Sequence, residues 1–364
     1  MKTKILLLFI ILPLLSQATV WRVNGNSGID ADFADVPETV TAASAGDTIY
    51  VEPWVDGIYS TTTVGKPLTI LGGGYYISQN DSTQYIDQWT NINRVIFVPG
   101  SAGSKIAGVQ FVNRDLYDAG QDAGRRVFGS IIIDECCITV ERCFSNEDFT
   151  LGLTSRADNC IIQNCFFENS GNKGRTTFGK INLSIHPELQ GTGVQNTVIN
   201  NSVIGAIEGE AISSIQESII SLSVNNCIIY WQSNDGTRNT IFSNCIFTRD
   251  QEAQIAQANV SFFNNLDVFD NIPAGNGNQL NIPFATIFDS EFSDHPELQF
   301  KLAEGSPAIG AAIDGGDCGI FGGDFPYVLS GMPNIPSIFE LTVDPTAGGD
   351  EQTLDVNLKA KSHD

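Results

Sequence analysis

The stretch Ile161-Ile-Gln-Asn-Cys-Phe-Phe167 decides the fold, because close copies of it return along the chain. The most similar copies are Val224-Asn-Asn-Cys-Ile-Ile229 and Ile241-Phe-Ser-Asn-Cys-Ile-Phe247, and looser versions begin at positions 106, 138, 198 and 262. Each copy has a short apolar run, a small polar turn and a second short apolar run. The chain therefore repeats one structural unit.

The spacing and composition of the repeats predict strands rather than helices. Positions 109, 143, 165, 202, 227, 245 and 266 are equivalent, so the steps are 34, 22, 37, 25, 18 and 21 residues. The apolar runs are short, β-branched and bounded by Asn, Gly, Ser and Asp, which is typical of strands and turns. We expect a β-solenoid whose turns pair in parallel about 4.8 Å apart. The two long steps then each carry an inserted loop.

One column of the alignment is rich in asparagine. It contains Asn164, Asn201, Asn226, Asn244 and Asn265, with Gly108 and Arg142 at the same place in two earlier repeats. Asparagine tolerates the left-handed backbone that a sharp bend needs, and stacked asparagines can form hydrogen bonds along the axis. The next column is small and suited to a core: Cys143, Cys165, Ser202, Cys227 and Cys245.

Two further regions carry family-like sequence. The first is Ala45-Gly-Asp-Thr-Ile-Tyr-Val51 followed by Lys66-Pro-Leu-Thr-Ile-Leu-Gly72; the second is Leu302-Ala-Glu-Gly-Ser-Pro-Ala-Ile309 followed by Asp314-Gly-Gly-Asp-Cys-Gly-Ile-Phe321. They resemble the opening and closing turns of secreted bacterial right-handed parallel β-helix proteins, the pectate-lyase-like superfold. The resemblance implies an all-β domain over residues 19–325. It does not fix an activity, because the fold hosts lyases, hydrolases, epimerases and adhesins.

Beyond that domain, prolines interrupt any regular stacking. Residues 326–364 are predicted to form a small C-terminal capping or tail element. In segments 337–343 and 352–358 apolar and polar residues alternate, which predicts two short strands.

The N-terminus has the three parts of a secretory signal peptide. Lys2 and Lys4 precede an apolar run, and Ser16 and Ala18 place small residues before a cut at Thr19. We expect residues 1–18 to be removed and the protein to be secreted, outside the cell or at its surface, with the periplasm as the alternative. The apolar run is shorter than the ~20 residues that span a bilayer. We therefore expect no membrane insertion after cleavage.

Charge and composition exclude other classes of protein. With 42% apolar and 17% charged residues the chain is too apolar for a disordered protein. Its formal net charge of −23 disfavours nucleic acid as a partner. We expect a monomer. The eight cysteines are predicted to be mainly free buried thiols, because neighbouring parallel turns sit poorly for disulfide geometry.

The first functional hypothesis is a non-catalytic solenoid that binds a polysaccharide or another cell-envelope component. Aromatic side chains can stack on sugar rings. The candidates for such contacts are Tyr75, Tyr76, Tyr85, Trp89 and Trp231. The alternative for these aromatics is an ordinary place in the core or a cap.

The second hypothesis is a Ca²⁺-dependent polysaccharide lyase, or a related carbohydrate-active enzyme such as a glycoside hydrolase, acting in a groove along the solenoid. On this fold, lyases commonly use Ca²⁺ on stacked carboxylates and an Arg or Lys as base. The two inserts carry metal-ligand candidates Asp115, Asp118 and Asp122, and catalytic candidates Arg125, Arg126, Lys173, Arg175 and His186. The alternative is two solvated charged loops, and no cofactor is required on the first hypothesis.

Two histidines share a five-residue string. His186-Pro-Glu-Leu-Gln190 lies in the second insert, and His295-Pro-Glu-Leu-Gln299 lies just before the presumed closing turn. We interpret the second copy as structural. No Gly-x-Ser-x-Gly elbow occurs, so a Ser-His-Asp hydrolase is not supported.

Overall fold

The computed structural model describes residues 18–80, 88–112, 131–145, 150–153, 156–167, 180–182, 194–208, 221–232, 239–248, 259–333, 336–343 and 356–361. The predicted signal peptide lies outside this part of the chain, apart from Ala18. None of the helices in these ranges is long and apolar enough to cross a bilayer.

The chain coils repeatedly through three parallel sheets, here called faces A, B and C, with strands numbered in chain order. Face A is a ten-stranded parallel sheet. Its strands are β1 (Val20–Val23), β2 (Thr48–Val51), β4 (Thr69–Leu71), β7 (Lys105–Ala107), β10 (Thr139–Glu141), β13 (Ile161–Gln163), β16 (Thr197–Asn200), β18 (Leu222–Asn225), β20 (Thr240–Ser243) and β22 (Ser261–Phe263).

Faces B and C meet in two long strands, β17 (Val203–Glu208) and β19 (Ile228–Gln232), which contribute to both. Face B also contains β5 (Asn91–Ile92), β8 (Gln110–Phe111), β11 (Phe144–Ser145), β14 (Phe166–Phe167), β21 (Ile246–Phe247) and β23 (Leu266–Asp267). Face C also contains β3 (Thr62–Val64), β6 (Val95–Phe97), β9 (Ile131–Ile133), β12 (Thr150–Leu153) and β15 (Lys180–Asn182). The predicted parallel β-helix is confirmed by this strand pairing.

The inside of the coil is one continuous hydrophobic core running from Val23 to Ile272. Each strand has two to six residues, and successive side chains along it point alternately into the core and outward. The predicted column of small residues is buried as expected, with Cys143, Cys165, Cys227 and Cys245 all inaccessible to solvent. Small side chains are needed there because the coil bends sharply from face A to face B.

The bend itself explains the asparagine column. Gly108, Arg142, Asn164, Asn201, Asn226, Asn244 and Asn264 all have φ between 45° and 69°. The left-handed conformation is therefore common to the column, including the two positions that lack asparagine. Asparagine is favoured because its short amide offsets part of the steric cost that other side chains incur there.

The predicted alignment is wrong by one residue in its last repeat. Ile246 pairs with Leu266, so Asn264 rather than Asn265 is equivalent to Asn244, and the last step is 20 residues instead of 21. Asn265 instead takes the place of the buried cysteines, where its Oδ1 accepts a hydrogen bond from Cys245 N at 2.8 Å. Two consecutive asparagines made the sequence register ambiguous.

A second left-handed column marks the bend from face C back to face A. It contains Gly103, Cys137, Asn159, Asn196, Asn239 and Asn259; Ser221, at the equivalent position between Asn196 and Asn239, does not have a positive φ. Amide groups join neighbouring coils here, as Asn259 Nδ2 donates to Asn239 Oδ1 at 3.0 Å. The sequence contained this column, but it lies outside the seven-residue repeat that was aligned.

Residues 282–332, here called the strap, run along the outside of face B instead of forming another coil. The strap includes a short helix, α2 (Phe284–Ile287). The other α-helix of the described residues, α1 (Val36–Ala42), lies between β1 and β2 in the chain. The outward side chains of face B form a second hydrophobic cluster under the strap: Phe144, Phe166, Val203, Ile228, Ile246 and Leu266. Residues 302–321 therefore cover a face rather than close the solenoid, which corrects the expectation of a closing turn.

After the strap, β24 (Ser337–Val343) and β25 (Val356–Lys361) form a small antiparallel hairpin. Both predicted tail strands are present; the second is described over Val356–Lys361, and residues 352–355 of the predicted segment lie outside the described residues. Several apolar side chains of this hairpin are exposed, among them Val356 and Leu358.

Candidate binding surface

The outer surface of face A is the main polar sheet surface that the strap leaves open. Its residues come from two columns of outward positions on the same strands. One column, here called the amide column, contains Gln163, Asn200 and Asn225, with Glu141 at one end and Ser243 at the other. The other contains Thr139, Ile161, Val198, Ser223, Ile241 and Ser261.

Parallel pairing sets the geometry of the amide column. Each amide lies one coil from the next, at a repeat of about 4.8 Å. Asn225 Nδ2 donates to Asn200 Oδ1 at 3.0 Å, so the two side chains share one orientation. Each amide carries both donors and an acceptor, and all three residues are partly exposed. The column is a rigid, neutral row of hydrogen-bonding groups.

The neighbouring column adds apolar contact area beside the amides. Ile161 is 39% exposed and Ile241 is 44% exposed, although both belong to regular strands. Ser223 lies between the apolar pair Ile161 and Val198 and the side chain of Ile241, and Thr139 and Ser261 flank them. The column therefore mixes hydroxyl and apolar side chains, which suits a ligand with hydroxyl groups and C–H faces.

An ion cluster closes the amide column at one end. The Glu141 carboxylate forms an ion pair with Lys105 Nζ, and Arg142 Nε lies 3.1 Å from Glu141 Oε1. Arg142 Nη1 also donates to the carbonyl of Met332 in the strap. Desolvation lowers the pKa of the Arg142 guanidinium, although the Glu141 charge opposes this effect. These charges are paired with one another, so they contribute to packing rather than to acid–base chemistry.

The residues predicted for metal binding and catalysis lie outside the described part of the chain. They are Asp115, Asp118, Asp122, Arg125, Arg126, Lys173, Arg175 and His186. Among the described residues there is no group of three or more His, Cys, Asp or Glu side chains that could hold a metal ion. The strands that precede the two inserts, β8 and β14, both belong to face B and are separated by β11 alone.

Of the aromatic candidates, Tyr85 and the side chain of Trp231 also lie outside the described residues. Trp89 is half-buried, with its ring 4.9 Å from that of Tyr76 and 5.7 Å from that of Phe144. Tyr75 was expected to be exposed and is fully buried, stacked on Phe144 at 5.0 Å. That expectation is wrong because the strap, which the sequence did not predict, covers this end of face B.

Arg94 lies at the bend between β5 and β6, on the side from which the first insert leaves face B. Considering only the described residues, its Nε and Nη2 atoms are shielded from solvent and have no hydrogen-bond partner. The same holds for Oδ1 of Asn91, three residues earlier. Shielded guanidinium nitrogens without an acceptor are costly, so the Nε and Nη2 atoms of Arg94 favour an anion at this corner of the molecule.

The second His-Pro-Glu-Leu-Gln string, which the sequence analysis interpreted as structural, takes part in a buried polar cluster. Glu297 is fully buried, and its Oε1 accepts hydrogen bonds from Tyr327 Oη at 2.7 Å and Ser330 N at 2.8 Å. Its Oε2 accepts from Asn80 Nδ2 at 2.6 Å. Burial raises the pKa of Glu297 to about 7, against the opposing effect of these three donors.

A carboxyl group with a raised pKa is a common mark of an active site. Glu297 has no exposed surface, however, and its described neighbours satisfy both oxygens, so substrate has no route to it in this arrangement. His295 completes the cluster by joining the strap to residue 79, with Nε2 3.0 Å from Gln79 O. The cluster fastens the strap to the first coils.

These features define the class of the protein. It is a parallel β-helix with a strap over face B and an open polar surface on face A. Among solved structures, the crystal structure of pectate lyase Pel9A is similar to this chain, with a TM-score of 0.35 and 15% sequence identity. The match covers 84% of this chain and 96% of that chain. No family model and no curated protein matches the sequence.

Proposed function

We propose that this protein is an exported β-solenoid that binds a carbohydrate or another component of the cell envelope through the outer surface of face A. The observation that carries the proposal is the amide column, a row of neutral hydrogen-bonding side chains repeated on consecutive coils. Binding rather than catalysis is proposed because the described charges near this surface are engaged in ion pairs.

The chemistry of the surface favours a neutral glycan. Amide groups can donate to and accept from sugar hydroxyls, and the exposed Ile161 and Ile241 can contact the C–H faces of the rings. A polyanion would be repelled at long range by a net charge of −23. A rigid β-sheet also loses little conformational entropy on binding.

The test is a binding assay of the mature protein against a panel of neutral polysaccharides and glycans. We expect binding that weakens about tenfold or more in the Gln163→Ala/Asn225→Ala double variant, since about 1.4 kcal/mol corresponds to tenfold and each lost hydrogen bond contributes about 1 kcal/mol. Thr63→Ala is the matched control, because Thr63 is an exposed outward residue on face C. Absence of binding to every glycan, or equal affinity of the double variant and the wild type, would refute the proposal.

The second candidate function is a Ca²⁺-dependent polysaccharide lyase that acts on a uronate-containing polymer. Its specific support is Arg94, whose Nε and Nη2 have no hydrogen-bond partner among the described residues, beside the bend from which the first insert leaves. Asp115, Asp118 and Asp122 would be the metal ligands, and Arg126 and Lys173 the candidate bases. A bound Ca²⁺ would neutralise the substrate carboxylate and make the adjacent proton more acidic.

A uronan panel monitored by absorbance of the unsaturated product distinguishes the two functions. A lyase gives product that EDTA abolishes and that Arg126→Ala, Lys173→Ala or Arg94→Gln reduces. A binding protein gives no product from any polymer with or without Ca²⁺, while its glycan binding persists in EDTA.

A further inference from the structure

Two of the eight cysteines are accessible to solvent, and they are adjacent in sequence. Cys136 is partly exposed and Cys137 is exposed, whereas Cys143, Cys160, Cys165, Cys227, Cys245 and Cys318 are buried. All eight lie in the described part of the chain. The pair occupies the bend from face C to face A between β9 and β10. Neither functional proposal above uses it.

The two thiols already lie unusually close together. Cys137 Sγ is 2.9 Å from Cys136 Sγ, and a disulfide bond is about 2.05 Å long. Less than ~1 Å of movement therefore separates the thiols from bonding distance. Cys137 has φ of 64°, the left-handed conformation found in the same column at Asn159. The bend thus brings both side chains to the same side of the turn.

Hydrogen bonds fix this turn on both sides. The Glu135 carboxylate accepts from Gly100 N at 2.8 Å and from Cys136 N at 2.9 Å. Cys137 N donates to Asp158 O at 2.8 Å, in the next coil. Asp134 Oδ1 accepts from Arg156 Nε at 3.0 Å. A turn anchored to both neighbouring coils keeps the two thiols together instead of letting them rotate apart.

We propose that Cys136 and Cys137 are a redox-active dithiol that closes to a vicinal disulfide by exchange with a small or protein disulfide. The thiolate of Cys137 attacks one sulfur of the external disulfide and releases the first thiolate, giving a mixed disulfide. The Cys136 thiol loses its proton, attacks Cys137 Sγ and releases the second thiolate. The external disulfide is reduced to two thiols, which take up the two protons, and the two cysteines are oxidised.

The surroundings distinguish the two roles. Cys137 is the exposed thiol and therefore the one that an external disulfide can reach. The hydrogen bond with Cys137, together with burial and the Glu135 charge, raises the pKa of the Cys136 thiol to about 11. Cys136 is therefore a poor first nucleophile, and its proximity suits it to the second, intramolecular attack.

The oxidised pair is expected to be easily reduced. Consecutive Cα atoms lie about 3.8 Å apart, below the roughly 4.4–6.8 Å usual for disulfides, so a vicinal bond is strained. Strained and exposed disulfides belong to the labile class that exchanges with external thiols. The pair is therefore a reversible site rather than a permanent cross-link.

The test treats the folded, fully reduced protein at mildly alkaline pH with an aromatic disulfide reagent whose released thiolate is coloured. Wild type should release two thiolates per chain, keep no adduct and lose the mass of two hydrogens. Peptide mapping should place the new bond between Cys136 and Cys137, and dithiothreitol should restore the starting mass. The second release should not depend on reagent concentration, because it is intramolecular.

Single variants complete the test. Cys136→Ser should release one thiolate and retain a stable adduct on Cys137, and Cys137→Ser should react far more slowly. Cys160→Ala, which removes the buried thiol of the adjacent coil, should behave as wild type. Stable adducts on both cysteines, a bond from either one to Cys160, or no reaction in the folded wild type would overturn the proposal. The mapping of the wild type decides the matter even if a variant fails to fold.

Discussion

The side-chain amide of Asn201 donates to the backbone carbonyl of Gly322 at 2.6 Å, although 121 residues separate them. The same amide donates to Ile320 O at 2.9 Å. Other members of the column behave alike, since Asn226 Nδ2 donates to Asp317 O at 3.1 Å and Asn264 Nδ2 donates to Ala311 O at 2.8 Å. The asparagines were expected to bond to one another along the axis, and Asn244 to Asn226 at 3.3 Å is an example of such a bond. The column thus turns the chain and also fixes the strap.

Replacing Asn201 by alanine tests this double role. The change removes two buried hydrogen bonds, leaves two strap carbonyls without that donor and places alanine at φ of 45°. Each unsatisfied buried group costs about 1–3 kcal/mol, and a left-handed alanine adds about 1 kcal/mol. We expect Asn201→Ala to lower the free energy of unfolding by at least about 3 kcal/mol in urea denaturation.

Asn225→Ala is the matched control for that measurement. Asn225 belongs to a neighbouring coil, but it lies on face A, is only half-buried and does not have a positive φ. Its loss should cost less than about 1 kcal/mol. Equal losses in the two variants would show that the strap contacts do not matter for stability.

The buried carboxyl of Glu297 should make stability depend on pH. Its folded pKa of about 7 lies above the ordinary value of 4.5, so the folded chain binds this proton more tightly than the unfolded chain. The stabilisation is fully present below about pH 4.5 and is lost as pH rises through about 7. Across that interval it amounts to about 3 kcal/mol.

Urea unfolding of wild type and Glu297→Gln between pH 4.5 and 8 measures this effect. The difference between the two proteins isolates the carboxyl group, because every other titrating group is common to both. We expect the wild type to lose stability relative to the glutamine variant as pH rises. A constant difference over the whole range would mean that Glu297 does not titrate there.

The fold could be predicted from the sequence to the extent that it repeats. Short strands and left-handed bends recur at equivalent positions, so aligning the repeats placed Asn164 and Asn226 in one column. The strap has no internal repeat, and its contacts join residues far apart in the chain. Tyr327, for example, forms a hydrogen bond to Tyr75 at 2.8 Å across 252 residues. Packing of that kind leaves no local pattern to detect.

The candidate surface was missed for a different reason. Gln163, Asn200 and Asn225 each come directly before an asparagine of the left-handed column, so a polar column was visible in the same alignment. Charged residues in the two inserts attracted the functional interpretation instead, because acid–base and metal chemistry requires charge. A neutral binding surface has no such signal, and its continuity becomes apparent only when the coils are stacked.

The strap should be required for solubility, whereas the hairpin after it should not. A chain shortened to end at Pro333 keeps the cover over Phe166 and its neighbours and should unfold cooperatively, as the full chain does. A chain ending at Asn281 exposes the whole outward cluster of face B, which would be a large apolar patch. We expect that shorter chain to aggregate or to bind a hydrophobic dye strongly.

Size-exclusion chromatography and dye fluorescence at equal protein concentration compare the two shortened chains. A monomeric, dye-negative chain ending at Asn281 would contradict the assignment of the strap as a cover. Loss of folding on removing the hairpin alone would show that β24 and β25 contribute more than their described contacts indicate.

Gly322 tests how tightly the strap is folded on itself where it passes the asparagine column. A Cβ atom at this position would lie 1.9 Å from the carbonyl oxygen of Asp317 and 3.1 Å from Asn226 Nδ2. Asp317 and Gly322 both belong to the strap and the contact is with backbone, so it can be relieved only by rearranging the strap backbone between them. We expect Gly322→Ala to lower the free energy of unfolding by roughly 2–3 kcal/mol, the range for forced overpacking.

Gly65→Ala is the control. Its Cβ would lie 3.5 Å from Val98 Cγ2, which is an ordinary contact, so the free energy of unfolding of this variant should change by less than ~0.5 kcal/mol. Thermal or urea unfolding that gives the same stability for both variants would mean that the strap backbone between Asp317 and Gly322 rearranges at little cost.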